Sequence, residues 1–297
     1  MTAVPDSKPV PRPPRPRRER GWLATVPLFA FVGFAFGLPL AAIVHAAFRV
    51  KDPETKQTSF GTANISASLQ DAYLNALRSS IEISATVAIL GVIFGTLLAQ
   101  AVVSSGARRL RESVLTASGV LANFGGVPLA FAWVATLGNA RMITDLFDLT
   151  ERGWSLYSFT GLTAAYLYFS IPLMVLTITP ALDGLRPQWR EAAQNNGAST
   201  WQFWRHVGIP VLAPALLGCG VLLFGAAFAA HAAAAAMLGT GSTVPLITLK
   251  IAAALGGDVL VGHENVAFAM NLDMILVVAV VMAIYLPLQR RSSRWIA

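Results

Sequence analysis

Charge is scarce in this chain. Lys, Arg, Asp and Glu supply 12% of its 297 residues, about half the share usual for a soluble globular chain. Cysteine is scarcer still: Cys219 stands alone inside an apolar run, which excludes an internal disulfide and a cysteine-based metal cluster. Four histidines lie scattered at positions 45, 206, 231 and 263, with no H-E-x-x-H pair, so an intramembrane metalloprotease lacks its ligands and no metal site is expected. There is no G-x-x-x-x-G-K-[ST] run either, and without that loop the chain has no cradle for the phosphates of ATP.

Long apolar runs are what the chain has instead. Hydrophobic residues make up 55% of it. Six stretches reach the roughly 20 residues a helix needs to cross a hydrocarbon core about 30 Å thick. They cover residues 22–48, 81–103, 114–137, 159–182, 211–237 and 266–288. The expected fold class is an all-α membrane protein with six transmembrane helices. Pro39, Pro128, Pro172, Pro214 and Pro287 fall within these spans, and each removes a backbone donor that lipid cannot replace. Kinked helices packed around a pathway suit a transporter better than a passive anchor. Residues 1–21 combine prolines with Lys8, Arg12, Arg15, Arg17, Arg18 and Arg20. The apolar stretch after them is too long for a secretory signal core, so the reading is a disordered basic tail ahead of a retained helix.

A net charge of +7 raises nucleic-acid binding, and the placement of the basic residues answers it. With residues 1–21 inside, segments 1–21, 104–113, 183–210 and 289–297 face inward and carry 15 of the 22 lysines and arginines. By the positive-inside rule both termini are cytoplasmic. The basic surplus is topology; the expected partner is the lipid bilayer, with no nucleic acid.

Between the fourth and fifth spans lies an inner segment, residues 183–210, unusually long for a membrane connection. Glu191, Ala192 and Ala193 favour helix, whereas Asn195, Asn196 and Gly197 form a stop signal. A second helical stretch with Trp201, Phe203 and Trp204 follows, and Ile209 and Pro210 lead into the next span. The pattern predicts two short helices at the membrane surface, joined at a glycine where a side chain could not easily fit. Glu191-Ala192-Ala193, then Gly197, then Ile209-Pro210 resemble the E-A-A loop of binding-protein-dependent ATP-binding-cassette (ABC) importer permeases. This chain departs from that pattern in having Ile209-Pro210 directly, without the intervening leucine.

The resemblance covers residues 71–297, which look like the transmembrane domain of type I ABC importers, with residues 22–70 adding a first helix and an outer loop. Stretches 237–251, 256–260 and 285–295 look most like spermidine/putrescine-type permeases; importers of ferric iron, thiamine, phosphonate and sulfate are the neighbouring possibilities. Membership implies a multi-pass protein of the bacterial inner membrane that is not itself an enzyme and binds no cofactor. ATP and magnesium would sit on two separate ATPase subunits. A second, homologous permease subunit and an extracytoplasmic substrate-binding protein would complete the assembly. On the family pattern, Glu191 is the polar anchor toward the ATPase, Ala192 and Ala193 its contact face, Gly197 the sharp turn, and Ile209 and Pro210 the entry to the fifth span.

Ionisable groups inside spans are costly and often functional. Asp273, the one deep acid, would suit a cationic solute if it faces the pathway; the other reading is an Asp bonded to a neighbouring helix. His231 interrupts an alanine-rich run, and Asn123 precedes Phe124 and a Gly125-Gly126 pair; both are candidates for the pathway, or for close helix packing. Glu82 lies within a turn of the outer end of its span and can reach water. A proton-coupled carrier is the alternative from another class, but such carriers usually show internal repeats and several mid-membrane charges.

Overall fold

The computed structural model describes residues 25–51, 57–138, 142–239, 244–256 and 264–293. The basic tail expected at 1–21, and residues 240–243, 257–260 and 294–295 of the stretches compared with polyamine permeases, lie outside them. Helix α1 (Val26–Ala47) leads into a small antiparallel hairpin of β1 (Arg49–Lys51) and β2 (Thr58–Phe60), with Arg49 opposite Phe60. A short α2 (Ala63–Ser68) precedes α3 (Asp71–Ser104). Helices α4 (Arg108–Asn123), α5 (Gly126–Leu137) and α6 (Met142–Leu146) follow, then α7 (Phe159–Asp183). The inner loop holds α8 (Pro187–Asn195) and α9 (Thr200–Phe203), which runs through a π-helical turn, Trp204–Gly208, into α10 (Ile209–Phe228). The chain closes with α11 (Ala232–Leu238), α12 (Ile247–Leu255) and α13 (Glu264–Ser293).

Five helical segments are long and apolar enough to cross a membrane, and a sixth crossing exists if the bent pair α4–α5 counts as one. The centre of the bundle is α7, packed against α3, α4 and α10. Small residues allow that approach. A Cβ on Gly95 would lie 2.5 Å from the Met174 Cβ, and one on Gly91 would lie 2.6 Å from Leu223 Cδ2. Gly91 and Gly95 are one helical turn apart, so a single face of α3 seats both α7 and α10. By contrast, α1 packs on α13 and the hairpin, and of its residues only Ala47 is buried.

Three spans differ from expectation. The third is not one helix. It breaks after Asn123, and its halves meet at 97°. Gly126 has φ +71°, a left-handed conformation open to glycine, and Pro128 can neither donate to the Phe124 carbonyl nor sit beside it in a continuing helix. The fifth span, expected over residues 211–237 with its interruption at Pro214, keeps that proline inside α10, ends at Phe228 and restarts at Ala232. Alanine is the strongest helix former, so local preference does not account for this break, which a tertiary contact described below satisfies. The second span starts ten residues before the expected 81, at Asp71. Its first turns mix polar residues with Ala72, Tyr73 and Leu74, and Arg78 donates to Glu82 at 2.8 Å.

Candidate functional site

The inner loop folds as a stiff turn that its own residues specify. Pro187 stands in the first turn of α8, where a missing N–H is harmless. At its other end the Gly197 N–H donates to the Gln194 carbonyl at 2.9 Å, and the Ala198 N–H to the Ala193 carbonyl at 3.0 Å. That pair of bonds is a Schellman cap, and it requires the left-handed φ of +76° at Gly197. The expected reason for the glycine is corrected here: no atom lies within 4 Å of where its Cβ would be, so the constraint is backbone conformation and not space. One residue later the next helix opens on a capping box. Ser199 Oγ accepts from the Gln202 N–H at 3.2 Å, while Gln202 Oε1 accepts from the Ser199 N–H at 2.7 Å.

Helix α8 buries no residue and packs on α9. Glu191 and Ala192 are exposed, and Ala193 is half-buried. Ile209 and Pro210 do not break the chain; they are the first residues of α10, continuous with α9 through the π turn. Inside that turn a Cβ on Gly208 would fall 2.5 Å from the Trp204 ring. On the other side of the loop, the last residue of α7, Asp183, accepts from Arg111 of α4. The loop thus joins the bundle through the continuous α9–α10 helix on one side and through the ion-paired end of α7 on the other.

The two breaks meet. A Cβ on Gly126 would lie 3.7 Å from the Ala232 Cβ, and α5 packs on α11. Asn123 and His231 thus flank facing interruptions. Asn123 is exposed, and its Nδ2 donates to the Gly119 carbonyl at 2.8 Å. His231 is half-buried and its Nδ1 has no hydrogen-bond partner. Asp273 is elsewhere. It is 5% exposed, with Ser68 of α2 as its side-chain partner and with Oδ2 unpartnered. Among the described residues no three His, Cys, Asp or Glu side chains group as metal ligands.

Sequence reasoning missed the residues that hold the broken span. The Tyr166 hydroxyl of α7 donates to the Ala230 carbonyl at 2.8 Å, taking up an acceptor that the break frees. Ser80 Oγ of α3 accepts from the Ile247 N–H at 2.9 Å, at the first turn of α12. Neither pairing has a local signature, since 64 and 167 residues separate the partners. The Gly91-x-x-x-Gly95 spacing was readable.

The architecture is that of the transmembrane domain of ABC importers. A crystal structure of a bacterial ABC transporter involved in the import of the acidic polysaccharide alginate superposes with a TM-score of 0.71 over 92% of this chain and 96% of that one, at 19% identity. The same transporter in complex with an alginate pentasaccharide-bound periplasmic protein gives 0.68 at 16% identity. By sequence, the chain's relatives are permease proteins of transport systems. It is 40% identical over 68 residues to the sulfate transport system permease protein CysT of Escherichia coli, covering 23% of this chain and 24% of that protein. It is 26% identical over 158 residues to the trehalose transport system permease protein SugB of Mycobacterium tuberculosis, covering 52% and 51%. The chain thus spans about a quarter of the length of the first curated relatives it matches. No family model matches it.

Proposed function

We propose that this chain is the membrane-spanning permease subunit of an ATP-driven importer. The observation that carries the reading is α8: a short helix that buries no residue, fixed by a Schellman cap and followed by α9, which continues into a span. Such a helix has no role within its own chain, and it suits a groove on a cytoplasmic ATPase. Glu191 orients it, and Ala192 and Ala193 admit a close partner. Two ATPase subunits supply ATP and magnesium chemistry, a second permease subunit completes the pathway, and an extracytoplasmic binding protein delivers the solute. The fold shared with a transporter crystallised with a periplasmic protein supports that assembly. Both termini lie in the cytoplasm, the side on which the basic residues gather.

The solute passes the facing breaks beside Asn123 and His231. A polyamine-like cation is one substrate reading, resting on Asp273 as the deep acid of the spans, although that residue is buried against Ser68 of α2 away from the breaks with one oxygen unpartnered. Sulfate is the second reading, favoured by the local identity to sulfate permeases. The test is uptake into vesicles holding the complete assembly, with putrescine and sulfate as competing solutes. ATP-dependent uptake that Glu191→Lys abolishes supports the permease reading, and ATP-independent uptake overturns it. Asp273→Asn lowers putrescine uptake on the first substrate reading and leaves sulfate uptake intact on the second. Ser199→Cys should react with a membrane-impermeant thiol reagent only after the cells are opened.

A further inference from the structure

Helix α10 is 20 residues long, about 30 Å at 1.5 Å per residue, which matches the hydrocarbon thickness of a bilayer. On the orientation proposed above, the π turn and α9 form the cytoplasmic end of this span. Two side chains there have no use within the chain. Trp201 is 69% exposed, and Arg205 is exposed with no ion-pair partner among the described residues. A π turn winds less per residue than an α turn, which keeps Trp201, Arg205 and Ile209 in line at four-residue spacing.

Above them, at hydrocarbon depth, a groove of about 410 Å³ opens between α3, α10 and α13, lined by Ile89, Ile93, Leu217, Val221, Phe224 and Val281 among other wholly apolar residues. Its floor on α10 includes Gly220, and residues 209, 213, 217 and 220 recur at helical spacing on one side. Along the continuous helix from Thr200 to Phe228, the groove's residues begin at Leu216, roughly 16 Å beyond Arg205 at 1.5 Å per residue.

We propose that this groove and the Trp201–Arg205 pair together bind an anionic phospholipid, with an acyl chain in the groove, the phosphate on the Arg205 guanidinium and the Trp201 ring at headgroup depth. The groove has no polar group to direct a solute, which fits a hydrocarbon chain. A tryptophan at headgroup depth beside an unpaired arginine fits a phosphodiester. The proposal rests on the membrane orientation given above but not on ATP coupling. The test uses the full chain extracted from vesicles of equal phosphatidylglycerol and phosphatidylcholine, with retained lipid counted by native mass spectrometry. Wild-type chain should retain phosphatidylglycerol preferentially. Arg205→Gln should lower that retention about fivefold, the factor one basic residue contributes at an anionic surface, and Leu217→Trp should reduce retention of both lipids by filling the groove. Brominated phosphatidylglycerol should quench wild-type fluorescence more than that of Trp201→Phe. Equal retention by wild type and Arg205→Gln would overturn the site. So would disulfide crosslinking of two Leu217→Cys copies in the membrane, which would make the groove a subunit interface. No ATPase takes part in these measurements, so a failed permease reading leaves them unmoved.

Discussion

The turn at residues 195–199 and the breaks at 124–125 and 229–231 all interrupt helices, yet they are held in opposite ways. Every bond that shapes the turn runs between residues within five positions of each other. The break at 229–231 is held from α7, 64 residues away in sequence, whereas the break at 124–125 combines the two, a local signal from Gly126 and Pro128 with that glycine packed against α11. A locally specified element stays in shape while it moves as a unit, which suits a lever. An element specified from across the bundle changes when the bundle rearranges, which suits a pathway.

That contrast can be broken most forcefully at Gly95. Leucine there must displace Met174 at the α3–α7 contact, and overpacking of that kind costs about 1–3 kcal/mol or more. Gly95→Leu should lose the monodisperse detergent-extracted chain on size exclusion; wild-type yield would mean that α3 and α7 do not pack as described. Next in size is Gly197→Val. A β-branched residue at φ +76° costs about 1–2 kcal/mol, enough to weaken the proposed ATPase association roughly tenfold. Because α8 buries nothing, the melting temperature should stay at the wild-type value, and Gly197→Asn should restore association because asparagine tolerates that conformation. A fall in melting temperature equal to that of a core variant would put the turn in the same class as the breaks.

Tyr166→Phe tests the other side of the comparison. It leaves the Ala230 carbonyl without its donor, at a cost of about 1 kcal/mol for a hydrogen bond between membrane helices. The melting temperature should fall by a few degrees while ATPase association is unchanged. The smallest effect belongs to Arg111 and Asp183, both more than a third exposed, where an ion pair is worth under about 1 kcal/mol. Arg111→Ala should leave stability unmoved but reduce uptake per ATP hydrolysed, and the exchanged pair Arg111→Asp with Asp183→Arg should recover it. No recovery would remove the ion pair from the coupling path.

The same division governs what could be read in advance. Span number and the α8 helix follow from hydropathy and from Asn195, Asn196 and Gly197, all short-range signals. The break at 124–125 was half legible: Gly125, Gly126 and Pro128 together argue against a continuous helix, but the length of the apolar run outweighed them. The break at 229–231 was illegible, because its residues favour helix and only the Tyr166 hydroxyl and the packing of α11 on α5 say otherwise. Asp273 was legible as an unusual residue but not in its surroundings, since Ser68 lies on a helix too short to stand out in the sequence.

Helix α1 carries a consequence for biosynthesis. Its apolar window buries no residue within the chain, so the free energy that places it in the bilayer is chiefly its own partitioning. Insertion of α1 can finish before α3 is made, and the cell's machinery reads it by composition. Along its lipid-facing length a helix of equal hydropathy and unrelated order should be inserted as well, whereas the same reshuffling of α7 would leave nothing for α3 and α10 to close around.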